Sequence, residues 1–351
     1  MKLKKVDLFF YLYRIFWMFF SLEVISKFTI LGDYKRYSTK NFYEVIKEID
    51  LGSTFITDLI FSFTRLILRN NLLLVNLFFS ILSTYSILFL LKRLHYKKEI
   101  LLLLLFPSFN IWSTYISKEI LYVIFTSFFL GMYIDILRDL KFSKKKKILF
   151  IFLFTNILIM KKQYVIFWLL IIEYLILKKF FKIQIKKINY IYFLQSIIFI
   201  FILYLSKNII DSFFKNFYLH FSNGNSSRNL DYFVEKNGFF KHIIYGIYIS
   251  IQGIEIKEIF ERNIIKIFSF LESNIILFYL MIKFLINRLY KKYFYLLSVL
   301  SLLIVQYPFA IFNSGSAIRY RTNIYIILIV LVYLFKNTKE GKNEKYIIYK
   351  I

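Results

Sequence analysis

The sequence predicts an all-α fold, a polytopic bundle of about ten transmembrane helices, on three observations. Of the 351 residues, 59% are hydrophobic, and they are gathered into blocks separated by clusters of lysine and arginine. Blocks such as 148–160 and 324–335 are apolar on every face, whereas a soluble helix keeps a polar face. Without water to bind them, the backbone groups of such blocks must be satisfied within helices, and the short alternating segments of a membrane barrel do not occur in the sequence.

Ten apolar blocks are the predicted spans, and they are listed here in chain order. They are 6–28, 71–91, 100–113, 120–137, 148–160, 164–177, 188–206, 264–287, 293–312 and 322–335. A helix needs about 20 residues to cross the hydrocarbon core, so 100–113, 148–160 and 164–177 are short. The last two are joined by only three residues, which predicts a helical hairpin that opens into a cavity.

Loop charge predicts which side each connection faces. The connections on the side of the N-terminus hold 26 lysines and arginines, whereas the alternate connections hold 18 over about twice the length. Because positive loops stay in the cytoplasm, both termini are predicted to be cytoplasmic. Residues 1–335 then form one transmembrane domain with two large outer loops, 29–70 and 207–263, and 336–351 form a basic cytoplasmic tail.

Composition also excludes several classes of function. The formal net charge is +27, but the positive charge lies mostly in short loops between spans, which is typical of a membrane protein and does not predict a nucleic-acid partner. The chain has no cysteine, and its three histidines show no zinc-binding spacing. We therefore expect no metal and no cofactor.

The outer loop 29–70 contains two weakly amphipathic stretches, 42–49 and 55–68, which we expect to lie at the membrane interface. Thr57, Asp58 and Arg65 are predicted to mark the wet face of the second stretch.

Residues 106–119 form a polar elbow between two apolar runs, with Pro107 at its start and Lys118-Glu119 at its end. The elbow is predicted to place that charged pair at the outer membrane surface, although a solvated turn between two spans would have the same pattern.

Arg319 and Arg321 precede the last predicted span, and residues 313–316 (Asn-Ser-Gly-Ser) are predicted to keep this segment out of a helix. In an extended segment, residues two apart point the same way, so both guanidinium groups could grip one anion. Guanidinium forks match phosphate oxygens, and lipid headgroups are the alternative ligand.

The outward-facing charges together suit an anionic, lipid-linked substrate. Six cations are candidates for binding its diphosphate: Lys118, Lys161, Lys162, Arg228, Arg319 and Arg321. For Lys161 and Lys162 the alternative is extension to the headgroups. Asp33 and Glu119 are the candidate catalytic bases, because a sugar hydroxyl must lose its proton as it attacks an anomeric carbon. Asp33 could instead cap an interfacial helix or pair with Arg36.

The layout and three local patterns of the chain resemble those of bacterial O-antigen polymerases of the Wzy type. The patterns are Gly32-Asp33 after the first span, the elbow with Phe106-Pro107-Ser108, Trp112-Ser113 and Lys118-Glu119, and Arg319-Tyr320-Arg321 before the last span. Many members of that family have a Lys-Asp pair at the elbow. The longer acid in this chain weakens the assignment of Glu119 as the base.

The resemblance implies a metal-independent enzyme of the bacterial inner membrane that polymerises oligosaccharide repeats carried on undecaprenyl diphosphate. It implies as partners that lipid-linked glycan, membrane lipids and a chain-length regulator protein. Two alternatives stay open: a glycosyltransferase of the GT-C kind that uses a polyprenyl-phosphate sugar and also needs an acid in its first outer loop, and a flippase for lipid-linked oligosaccharides. A flippase should show more spans and internally matching halves.

Overall fold

The computed structural model describes residues 5–28, 31, 33–48, 52–95, 104–138, 140, 142–210, 212, 239–260, 264–311 and 313–334. Its helices, in chain order, are α1 (Lys5–Phe20, extended by a π-helical turn Ser21–Ile25 and by Ser26–Phe28), α2 (Tyr34–Thr39), α3 (Phe42–Lys47), α4 (Ser53–Ile67), α5 (Leu72–Arg93), α6 (Pro107–Ser113), α7 (Lys118–Leu137), α8 (Lys144–Met160), α9 (Val165–Leu175, extended by a π-helical turn Ile176–Phe180), α10 (Ile185–Leu205), α11 (Phe239–Gln252), α12 (Ile256–Ile259), α13 (Ile264–Ile286), α14 (Tyr293–Ile311) and α15 (Ser314–Leu334). The regular structure of these residues is helical throughout, as the sequence predicts.

Seven helices in the described part of the chain are long and apolar enough to cross a membrane, and they coincide with seven of the ten predicted spans. They are α1, α5, α7, α10, α13, α14 and α15. Their polar backbone is satisfied within each helix, and their apolar side chains can face either lipid or a neighbouring helix. The chain is therefore a multi-pass membrane protein.

The other three predicted spans take different forms. Helices α8 and α9 are long enough only as a pair, and the chain bends by 113° between them, where the sequence predicts a hairpin. The described part of 100–113 is mainly α6, a helix of seven residues. Pro107 occupies the first turn of α6, where its missing N–H costs no hydrogen bond. Residues 114–117 are not helical and lead directly into α7.

Helices α7 and α15 form the centre of the bundle. In each of them 78% of the most apolar 18-residue stretch is buried, whereas the value for α10 is 11%. Most side chains of α10 therefore face outward. Helix α7 packs along α5, α8 and α15, and α15 packs also against α6 and α14. Arg319 near the start of α15 lies 3.1 Å from Glu119 near the start of α7, and the candidate site lies there.

The two amphipathic stretches predicted in 29–70 are helices α3 and α4. The predicted wet face of α4 is wrong, because Thr57, Asp58 and Arg65 are all buried. Asp58 forms an ion pair with Arg36, with 2.7 Å between Oδ2 and Nη2, and the hydroxyl oxygen of Thr57 lies 3.6 Å from the sulfur of Met160. The polar residues of α4 thus mark contacts inside the protein.

Candidate functional site

The first turn of α7 carries the charged pair of the elbow. Ser117 caps this helix, since its hydroxyl accepts a hydrogen bond of 3.1 Å from the N–H of Ile120. The cap starts the helix at Lys118 and places Glu119 in the first turn, where an acid is favoured by the helix dipole. Glu119 is fully buried, so its charge needs partners within the protein.

Two cations from distant parts of the chain supply those partners. Lys161 lies at the bend after α8, with its Nζ 3.3 Å from Oε1 of Glu119. Arg319 lies in the second turn of α15, with its Nε 3.1 Å from Oε2, although the N–H is not directed at that oxygen and forms no hydrogen bond with it. Glu119 therefore joins α7, the bend between α8 and α9, and α15 through charge.

Asp33 completes the arrangement from the segment after α1. Its Oδ2 lies 3.3 Å from Nη2 of Arg319 and accepts a hydrogen bond of 3.4 Å from the hydroxyl of Tyr37. Burial and the neighbouring Asp33 carboxylate both raise the pKa of Tyr37, which keeps its phenol protonated as a donor. The Asp33 side chain is 48% exposed, so Asp33 is the acid that a molecule outside the bundle can reach.

Lys118 is the third cation at this site. Its Nζ lies 2.7 Å from the hydroxyl oxygen of Thr54 and 3.4 Å from that of Ser53, at the start of α4. Within the described part of the chain it forms no ion pair. We call Asp33, Lys118, Glu119, Lys161 and Arg319 the charge cluster. With three cations and two carboxylates it carries a net positive charge.

Aromatic rings flank the charge cluster. The ammonium of Lys161 lies 4.4 Å from the ring centre of Tyr320, and the guanidinium carbon of Arg319 lies 5.8 Å from the rings of Tyr320 and Trp112. These faces favour the two cations and exclude water from one side of them. The cluster is thus open mainly at Asp33.

The predicted pairing of Arg319 with Arg321 is wrong. Helix α15 begins already at Ser314, because the side chain of Asn313 accepts a hydrogen bond of 3.1 Å from the N–H of Ser316. In a helix, residues two apart point about 200° apart. The two guanidinium groups therefore leave opposite sides of α15, and only Arg319 reaches the charge cluster.

Arg321 performs a structural task instead. It is fully buried and donates to the carbonyl of Gln252 at 2.8 Å, and to the hydroxyls of Ser108 at 3.1 Å and Ser269 at 2.6 Å. Gln252 is the last residue of α11, after which the chain turns at Gly253 with a φ of +75°. Arg321 and the Ser273 hydroxyl, which donates at 2.9 Å, thus both satisfy the carbonyl at the end of α11 inside the bundle.

Of the remaining sequence-predicted residues, Lys162 is exposed and takes no part in the charge cluster. The bend that buries Lys161 turns its neighbour outward. Arg228 lies outside the described residues, and so does the tail 336–351.

Sequence reasoning did not predict the role of Arg14, which is fully buried in α1. Its guanidinium donates to the side chains of Ser83, Thr84, Asn110 and Ser113 and to the carbonyl of Ser113, over distances of 2.5 to 3.1 Å. All five N–H donors of the group are used. Arg14 thus ties α1 and α5 to the elbow that presents Lys118 and Glu119. The signal available in the sequence was a single arginine in the middle of an apolar span.

Among the described residues, no three histidine, cysteine, aspartate or glutamate side chains come together as metal ligands would. No protein-family profile, curated protein or solved structure matches this chain.

Proposed function

We propose that this protein is an integral membrane glycosyltransferase that polymerises lipid-linked oligosaccharide repeats. It would move a growing glycan from undecaprenyl diphosphate onto the terminal sugar of an incoming lipid-linked repeat. The observation that carries the proposal is the charge cluster, in which four separate segments of a membrane bundle bring three cations and two carboxylates together.

The cations suit the leaving group of this reaction. As the bond between the anomeric carbon and the diphosphate oxygen breaks, negative charge develops on the diphosphate, and fixed positive groups stabilise that charge. Lys118, whose ammonium contacts only hydroxyl groups among the described residues, has its charge available for a phosphate. Arg319 adds a planar fork of donors that matches phosphate oxygens.

The two carboxylates take different tasks in the proposal. Glu119 is enclosed between Lys161 and Arg319 without exposure, so it serves as the anchor that positions them. Asp33 is half-exposed and lies beside Arg319, which suits a general base that takes the proton of the acceptor hydroxyl as the hydroxyl attacks the anomeric carbon. The proton passes to Asp33, the new glycosidic bond forms, and the lipid diphosphate leaves.

The proposal places the protein in a bacterial inner membrane, with the charge cluster at the outer face and both termini in the cytoplasm. The asymmetry of lysine and arginine between the two sets of connections supports that orientation. Ten spans in a GT-C-like arrangement and a chain-length regulator as partner belong to the same proposal.

A second candidate is a GT-C-type glycosyltransferase that takes sugar from a polyprenyl monophosphate. The half-exposed acid Asp33, in the segment between α1 and α2, favours it as much as it favours the polymerase. The donor distinguishes the two enzymes, since only the polymerase uses a diphosphate-linked oligosaccharide.

The test is reconstitution of the purified protein in liposomes with undecaprenyl-diphosphate-linked repeats, followed by gel analysis of the products. We expect a ladder of longer glycans from the wild-type protein. Asp33→Asn, which is nearly isosteric, should slow elongation by roughly 10²–10⁴-fold, as is typical of a lost acid–base group, and leave single repeats on the lipid.

Glu23→Gln is the matched control, because it neutralises an exposed acid near the same end of α1. It should leave the ladder unchanged. If the wild-type protein lengthens no lipid-linked repeat, the polymerase is refuted. A normal ladder from Asp33→Asn would remove Asp33 from the mechanism.

A further inference from the structure

A pocket of about 300 Å³, lined by both polar and apolar residues, lies in the segment between α1 and α5, outside the charge cluster. Its walls come from the start of α3, the end of α4 and the turn that follows α4. Tyr43, Arg65 and Asn70 are among the residues that line it. The volume is at the lower end of the range for sites that bind small molecules.

Arg65 is the unusual member of this pocket. The side chain is only 7% exposed, and its one hydrogen bond within the described residues runs from Nη1 to the carbonyl of Lys40 at 3.3 Å. Its Nε has no hydrogen-bond partner, and no carboxylate in the described part of the chain forms an ion pair with it. A buried guanidinium normally has its donors satisfied or its charge paired.

The two fully buried arginines have many more partners. Arg14 uses all five of its N–H donors, and Arg321 makes five hydrogen bonds through its two terminal nitrogens, although its Nε also has no partner. Partly buried Arg93 is paired with Asp135 at 3.2 Å. Arg65 therefore stands apart from them as a buried cation whose binding capacity is largely unused.

The acid that lines the pocket, Glu44, and the two acids that pair with its lining Lys40, Asp58 and Glu48, all have partners other than Arg65. Glu44 lines the pocket, but its carboxylate accepts from the backbone N–H of Asn41 at 3.1 Å and so closes the N-terminus of α3. Asp58 is paired with Arg36 at 2.7 Å and with Lys40 at 3.5 Å. None of these acids neutralises Arg65, so the pocket keeps a positive centre.

We propose that this pocket binds an oxyanion, a carboxylate or a phosphate, that is carried on a small hydroxylated group. Arg65 would hold the oxyanion through its free donors. The amide of Asn70 and the 70% exposed ring of Tyr43 would contact the hydroxylated part at the mouth. An acidic sugar and a glycerophosphate lipid headgroup both carry this chemistry. The inference does not depend on the proposed polymerase.

The test uses the full-length protein in micelles of a non-ionic detergent, which carries no oxyanion, with calorimetric titration of glucuronate, glucose and glycerol 3-phosphate. We expect at least one of the two oxyanions to bind and glucose, which has no charge, to bind at least about tenfold more weakly. Binding of glucuronate would identify an acidic sugar as the ligand class, whereas binding of glycerol 3-phosphate alone would identify a headgroup.

Arg65→Gln should weaken the binding of the oxyanion by at least about tenfold, the loss expected for a charged hydrogen bond. Arg69→Gln, the same change at an exposed arginine one turn further along, should bind as the wild type does. Arg65→Lys keeps the positive charge, and we expect it to fold as the wild type does. It lacks the planar guanidinium with two parallel N–H donors, so it should also bind the oxyanion more weakly. The proposal is overturned if neither oxyanion binds the wild-type protein, or if Arg65→Lys retains full affinity.

Discussion

Neutralising Glu119 should destabilise the bundle, because it removes the carboxylate that a buried lysine and a partly buried arginine share. In Glu119→Gln the ammonium of Lys161, whose side chain is 5% exposed, loses a partner at 3.3 Å, and Arg319 loses one at 3.1 Å. Breaking a buried ion pair from one side costs about 3–5 kcal/mol. We expect a value near the lower end of that range, since Arg319 keeps Asp33 at 3.3 Å. Unfolding by SDS in mixed micelles, followed by tryptophan fluorescence, measures the loss.

A second substitution separates charge pairing from general damage. Adding Lys161→Met to Glu119→Gln removes the stranded ammonium, so the double variant should lose less stability than the sum of the two single variants. Glu48→Gln is the matched control, since it neutralises an exposed acid that is paired with Lys40, and we expect little change. If Glu119→Gln unfolds at the same SDS concentration as Glu48→Gln, the charge cluster does not hold the three segments together.

Three further predictions concern Arg14, the two arginines of α15 and the orientation of the chain in the membrane. Arg14→Met should lower the free energy of unfolding by at least about 3 kcal/mol in the same titration, because it leaves several buried acceptors without donors; a stable variant would contradict its role in holding the elbow. Arg319→Lys should reduce polymer length per folded molecule, whereas Arg321→Lys should reduce the amount of folded protein and leave polymerisation per molecule unchanged; equal activity losses in the two variants would contradict the division of tasks. Alkaline phosphatase fused after Ser226 should be active and a fusion after Lys145 inactive, and the reverse pattern would invert the proposed orientation.

The spans and the candidate residues could largely be predicted from the sequence, because a membrane imposes length and polarity on each segment. Seven predicted spans coincide with helices that are long enough to cross, and the polar breaks between them locate four of the five members of the charge cluster at the ends of helices or at bends. Lys161 illustrates this point. Two lysines interrupt an apolar run, and the chain bends by 113° there.

The direction of polar side chains could not be predicted in the same way. A polar residue on an amphipathic helix is expected to face water, yet Asp58 and Arg65 of α4 face inward. Asp58 pairs with Arg36, and Arg65 donates to the carbonyl of Lys40. Each of these two partners lies more than twenty residues earlier in the chain. Polarity alone does not distinguish solvent from such a distant partner, so the inward direction of α4 depends on tertiary contacts that no local pattern contains.

The assignment of Arg319 and Arg321 failed for a related reason, and its failure sharpens the site. The side chains of two residues that are two apart point the same way in an extended backbone and opposite ways in a helix. The Ser-Gly-Ser segment before Arg319 has a low helix propensity, which favoured the prediction of an extended backbone. The side chain of Asn313 supplies the missing start of the helix, and burial of the segments that follow stabilises it. One arginine is thereby directed to the charge cluster and the other to the end of α11. The proposed diphosphate site therefore consists of lysines from α7 and from the bend after α8, and of a single arginine that lies between the two acids of the charge cluster.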